Sequence, residues 1–126
     1  MKLLTFFKRL LLNIPLPYPC KLKESKSADE RGARAMAREG DELQIVHAPS
    51  EKLPFGVYAY DISLNRVLGL VALSSAKKLV KLFGKGFCKD GEVLARTERG
   101  GEFFIEVLVF DRTTMMKNED FTHLYE

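Results

Sequence analysis

Near the start of the chain, Leu3, Leu4, Phe7, Leu10, Leu11 and Ile14 recur at spacings of three and four. That period places one apolar stripe on a helix over 1–14 and leaves Lys2, Lys8, Arg9 and Asn13 off it. Pro15 ends the helix. The stretch 15–19 holds Pro15, Pro17 and Pro19. Proline has no amide donor and restricts the residue before it, so this stretch reads as an extended connector. A short strand is expected over 20–24. Ser27-Ala28-Asp29-Glu30 then has the S-x-x-E form of a capping box, in which hydroxyl and carboxylate satisfy first-turn amides. The helix it opens runs through Ala33, Ala35, Met36 and Ala37 to Gly40, and its small residues suit close packing on a sheet.

From Asp41 the period changes to two. Leu43, Ile45 and His47 alternate with Gln44 and Val46, and 55–61 is rich in aromatic and β-branched residues; both read as strands. The loop between them carries Pro49 and Pro54, and Ser63-Leu64-Asn65-Arg66 forms the turn into a third strand over 67–72. Ser74 or Ser75 caps a helix with Ala76, Leu79, Val80 and Phe83 on its apolar face and Lys77, Lys78 and Lys81 toward solvent, closed by Gly84. The last two strands, 92–97 and 103–110, flank Glu98-Arg99-Gly100-Gly101, whose paired glycines permit the positive φ values of a tight hairpin. The strand over 103–110 is largely apolar and is therefore expected inside the sheet. No period organises 113–126.

These elements make one α+β domain, a size that 126 residues support. Apolar residues are 46% and charged residues 29% of the chain, which excludes a disordered chain. The net charge of +3 leans basic without making nucleic-acid binding an inference from charge alone. Lys8 and Arg9 split the N-terminal apolar run below the roughly 7 to 15 residues of a signal-peptide core, and it is far below the ~20 needed to cross a bilayer. The chain therefore reads as cytoplasmic, with Cys20 and Cys88 as reduced thiols.

The order of helix, strand, Pro-containing loop, strand, turn, strand with an internal glycine, helix and hairpin resembles the HIRAN family of DNA-associated modules. The resemblance runs from about Cys20 to Phe110. It rests on Gly40-Asp41-Glu42-Leu43, Pro49, Leu68-Gly69 and the apolar helix beginning at Ser74. It implies a small OB-like antiparallel β-barrel with two or three packed helices over 20–112, preceded by the helix 1–14 and connector 15–19 and followed by a tail, 113–126. It also implies single-stranded DNA association without catalysis or cofactor. DNA-binding members carry an N-P-x-D-x-N-A-like motif that grips a strand end. Counting back from Leu68-Gly69 without a gap, Glu51 and Lys52 stand at its Asn-Pro, Pro54 at its aspartate, Gly56 at its second asparagine and Val57 at its alanine. The chain departs from the motif there, leaving Ser50, Glu51 and Lys52 as the loop candidates.

Two basic groups offer phosphate contacts: Lys77, Lys78, Lys81, Lys85 and Lys89 around the second capped helix, and Lys21, Lys23, Lys26, Arg31 and Arg34 around the first. Neutralised phosphates release counterions, which is the physical use for several cations together; the plainer alternative is two solvated helix faces. Tyr58 and Tyr60 share one face of a strand and offer stacking platforms for bases, unless they are cross-strand packing residues. Cys20, Cys88, His47 and His123 lack metal-ligand spacing, no G-x-S-x-G element accompanies a base, and Gly84-Lys85-Gly86 follows a helix where a phosphate loop precedes one. The alternative function class is a protein-interaction or membrane-peripheral module using Leu3, Leu4, Phe7, Leu10 and Leu11, since a basic amphipathic helix suits a partner's groove or a bilayer interface.

Overall fold

A computed structural model describes residues 16–111; the expected N-terminal helix, Pro15 and the stretch 113–126 lie outside them. The described chain runs β1 (Tyr18–Lys21), α1 (Ala28–Met36), β2 (Glu42–His47), β3 (Val57–Asp61), β4 (Arg66–Leu70), α2 (Leu73–Phe83), β5 (Cys88–Arg99) and β6 (Glu102–Phe110). Every strand pairing is antiparallel, in the order β1-β6-β5-β2-β3-β4. The sheet curls into a half-barrel until its two outer strands meet. Leu22, just after β1, forms a bridge with Val71, just after β4, flanked by Lys23 N–H to Leu70 O at 2.7 Å and Ala72 N–H to Lys21 O at 2.9 Å.

The two-residue period builds the inside of this curl. Leu43, Ile45 and His47 of β2, Val57 and Ala59 of β3, and Ile105, Val107 and Val109 of β6 are buried, while Gln44, Val46, Tyr58 and Tyr60 remain at least partly exposed. Ala33 and Ala37 from the first helix region and Ala76, Leu79 and Val80 from α2 complete the core. Each large aliphatic side chain taken fully from water contributes roughly 1.5–3 kcal/mol before chain entropy is set against it.

Gly91 lets the curl tighten: a Cβ there would stand 2.7 Å from Leu108 O and 2.9 Å from Ile45 Cγ1. At the hairpin, Gly100 and Gly101 have φ of 59° and 81°, the backbone of a type I′ turn.

The serine half of the capping box forms, with Glu30 N–H donating to Ser27 Oγ at 3.1 Å, while Glu30 Oε1 reaches one residue further back and accepts from Lys26 N–H at 2.9 Å. The helix it opens stops at Met36, however, short of Gly40. Arg96 reaches over from β5 and donates to the carbonyls of Arg34 and Ala35, a cation at the negative end of the helix. Gly40, at φ 88°, serves instead in the turn into β2.

Tyr18 and Pro19 belong to β1 rather than to the connector, pairing with Val109 and Leu108; a proline is tolerated on an edge strand, where its missing donor breaks no ladder. The second helix starts at Leu73 with no side-chain cap, because its N-cap position is occupied by Ala72; the Ser75 hydroxyl lies 3.1 Å from Tyr18 OH instead. Strand β5 extends well beyond the expected 92–97, from Cys88 to Arg99, its alternation broken by Gly91 and by a bulge at Leu94, between Val93 and Ala95. Among the described residues no helix is long and apolar enough to cross a membrane.

Candidate functional site

The 48–56 loop, the end of β4 and the start of α2 enclose a groove of about 340 Å³. Leu53, Pro54, Phe55, Leu70, Val71 and Leu73 give it an apolar lining, with Gly56 among them. Among the described residues, its charged lining residues are Lys23, Lys52 and Lys77. The three come from different parts of the chain: Lys23 after β1, Lys52 in the loop, Lys77 on α2. The Lys77 ammonium sits 5.6 Å from the centre of the Phe55 ring, so cation and aromatic face are adjacent. The volume is at the small end of ligand pockets.

Two buried polar residues hold the walls in place. Arg34 is fully buried, and its guanidinium donates to Leu68 O at 2.7 Å, Lys23 O at 2.6 Å and Phe103 O at 3.1 Å. The Leu68 carbonyl is open to it because β4 bulges: Ala59 pairs with Gly69 and Tyr60 with Val67, which leaves Leu68 without a partner on β3. A bulge thus creates the acceptor that the arginine satisfies. By holding the backbone at Lys23, Arg34 fixes one side of the groove. Burial lowers the guanidinium's pKa, while Glu30 and Glu102 act in the opposite direction.

His47 fixes the other side. It is 4% exposed, its Nδ1 accepts from Gly86 N–H at 2.9 Å and its Nε2 lies 3.0 Å from Pro54 O. Because Nδ1 is an acceptor, the proton resides on Nε2 and is donated to Pro54. The ring also stacks near Phe87, with centroids 6.1 Å apart. Within the loop, Leu53 O receives both Ser50 N–H and Gly56 N–H, each at 3.0 Å. The Ser50 hydroxyl accepts from Leu53 N–H at 3.1 Å.

The residues singled out from sequence therefore separate. Lys77 and Lys52 line the groove together with Lys23, a member of the first basic group. Lys78 and Lys81 are exposed on α2 and Glu51 on the loop, outside the groove lining. Ser50 shapes the loop from within. Arg31 is 3.6 Å from Glu102, a carboxylate whose pKa is lowered chiefly by bonds from the Ser25 hydroxyl and amide.

Arg34 is a correction. Helical spacing places it among solvated basic residues, but it points inward and its donors are committed to backbone carbonyls, so it reaches no phosphate. Tyr58 and Tyr60 occupy the outer face. Tyr58 pairs with Leu70, a groove residue, whereas Tyr60 pairs with Val67 and Gln44, and Gln44 in turn pairs with Asp90.

Sequence reasoning missed the groove itself. The internal Gly69 was the one local sign of a bulge beside it. Burial pushes the Cys20 thiol up to about 12, which leaves it unreactive, while Cys88 is exposed. No cluster of three or more histidine, cysteine or acidic side chains is placed to hold a metal among the described residues. Comparison with known proteins finds no family model, no curated protein and no solved structure that matches this chain.

Proposed function

We propose that this domain is a non-catalytic, single-stranded nucleic-acid-binding module that works through the lysine-rimmed groove. The supporting observation is the grouping of Lys23, Lys52 and Lys77 around an apolar, phenylalanine-bearing pocket with no carboxylate among the described residues that line it. Ammonium groups neutralise phosphates and release counterions, and an aromatic ring provides a platform for a base freed from a duplex. The groove also involves the loop onto which the HIRAN resemblance maps a strand-end motif. On this reading the curled sheet is an OB-like barrel with its ligand at the joint between the 48–56 loop and α2, and Tyr58 extends the stacking surface beside Leu70.

The test is fluorescence anisotropy with a labelled single strand and its duplex at low and moderate salt. The expected result is preference for the single strand, weakening as salt rises, with a log–log slope of about −0.7 for each phosphate contacted. Lys52→Glu and Lys77→Glu should each weaken binding, whereas Lys78→Glu should change it little. Absence of binding at low salt, or unaltered binding by folded Lys52→Glu and Lys77→Glu proteins, would overturn the proposal.

A further inference from the structure

We propose that residues 1–14 fold back as a helix across the outer face of the sheet, over β1, β6, β5 and β2, and lay their apolar stripe on it. The proposal is independent of the nucleic-acid reading.

Pairing register defines that face. Cys20, Leu43, Val93, Val107 and Val109 belong to the core, so the residues that alternate with them point outward. Pro19 pairs with Leu108, Leu108 with Glu92, and Glu92 with Glu42, a row that crosses four strands. Beside the row, Lys21 pairs with Glu106, and Asp90 precedes Glu92 by two residues on the same side of β5. Pro19 and Glu42 are exposed, and Leu108, Glu92 and Glu106 are only half-buried. Both helices send their buried residues to the core on the opposite side.

Charge marks this face as one half of an interface. Glu42 and Glu92 are direct cross-strand partners, an arrangement that repels. Among the described residues, none of Glu42, Asp90, Glu92 and Glu106 is in an ion pair. Four carboxylates against the single ammonium of Lys21 leave three negative charges. Segment 1–14 carries the complement, Lys2, Lys8 and Arg9 with no aspartate or glutamate. Helical spacing sets Lys8 beside Leu4 and Leu11, so its stem follows the apolar stripe while its ammonium reaches the rim. Pro19 and Leu108 give the stripe an apolar seat.

The tether fixes the place. Three residues separate Ile14 from Tyr18, the first residue of β1, so Ile14 stays within roughly 14 Å of it at ~3.5 Å per residue. A helix over 1–14 is about 21 Å long, and four strands spaced ~4.8 Å apart span about 14 Å. The segment therefore covers the row from Pro19 to Glu42. The other surface in reach is α2, which meets Tyr18 through Ser75; its exposed face bears Lys77, Lys78 and Lys81 and repels a basic helix.

Disulfide trapping in the full chain tests the proposal. Cys88→Ser removes the exposed thiol, and Cys20 is buried. Leu108→Cys is then combined in turn with Leu3→Cys, Phe7→Cys, Leu10→Cys or, off the stripe, Thr5→Cys. A disulfide needs its Cβ atoms about 3.5–4.5 Å apart. The expected result is a stripe position that oxidises within one chain while Thr5→Cys stays reduced. Phe7→Asp in the otherwise native chain gives a second reading without a cross-link: its amide shift changes in NMR spectra should reach Glu42, Glu92 and Leu108. These shifts decide the matter if the cysteine variants fail to fold.

Trapping between two chains instead of within one would make a second copy the occupant and overturn the proposal. No trapping at any stripe position of folded variants, or shift changes confined to 1–17, would overturn it as well. Binding of the full chain to phosphatidylserine vesicles, abolished by Phe7→Asp, would in that case identify a bilayer as the surface that takes the stripe.

Discussion

A Cβ on Gly69 would occupy the space that Arg34 Nη2 fills. The glycine also has φ 146°, a backbone conformation that L side chains rarely adopt. Gly69→Ala should therefore cost about 2–4 kcal/mol, more than a typical surface change, through strain and displacement of a buried cation together. Urea unfolding followed by circular dichroism reads this as a lower midpoint at similar slope. A midpoint within error of wild type would mean that the bulge relaxes without moving the arginine.

Arg34→Lys keeps a positive charge but loses the planar fork that reaches three carbonyls. The expected loss is about 2–3 kcal/mol, because acceptors at Leu68, Lys23 and Phe103 compete for one ammonium. Ligand binding should weaken as well, since the Lys23 backbone is no longer held. Unchanged stability in the lysine variant would show that the three carbonyls do not depend on the guanidinium.

His47→Ala removes the ring that joins Pro54 to Gly86. A global loss of about 2 kcal/mol is expected from the lost packing and hydrogen bonds. The local effect should be larger than the global one. Hydrogen exchange by NMR should show the amides of Ala48, Leu53 and Gly56, which are bonded within the loop, opening at lower free energy than the amides of β2. If those amides slow or stay unchanged, the histidine does not hold the loop.

Asp61 is fully buried. Its Oδ1 accepts from Ser63 Oγ at 2.8 Å and Leu64 N–H at 3.1 Å, while Oδ2 receives no donor among the described residues. Burial raises its pKa and the neighbouring Asp41 adds to the rise, against the lowering by Leu64 and Ser63. The folded state thus favours the protonated acid. The stabilisation is complete below the unfolded value of about 3.9 and is lost as pH rises through the folded value. Asp61→Asn mimics the protonated form, so its stability relative to wild type should be greater at neutral pH than at about pH 4. Denaturant midpoints across that range provide the check, and a pH-independent difference would argue against it.

Legibility from sequence followed the range of the interaction concerned. The alternation Leu43, Ile45, His47, the Ser27–Glu30 cap and the Gly100-Gly101 hairpin depend on neighbours along the chain, and each appears where its pattern places it. The end of α1 was not legible because it depends on Arg96, a residue of another element. The same holds for Arg34. Its helical position resembles that of any solvated cation, and only the β4 bulge supplies the carbonyl that draws it inward. Strand β5 was underestimated because Lys89, Asp90 and Gly91 interrupt its apolar rhythm. Lys23, Lys52 and Lys77 became neighbours only through closure of the sheet.

The bridge between Leu22 and Val71 also bears on how the protein resists wrong company. An open sheet offers two free rows of amides and carbonyls on which another chain can add a strand, the usual start of edge-to-edge aggregation. Here the two rows meet each other at one end. What remains is a four-residue β1 containing Pro19 and a five-residue β4 interrupted by its bulge. Neither is a long, regular template. Strand addition is thereby disfavoured, because neither outer row offers a partner chain a long run of free amides and carbonyls.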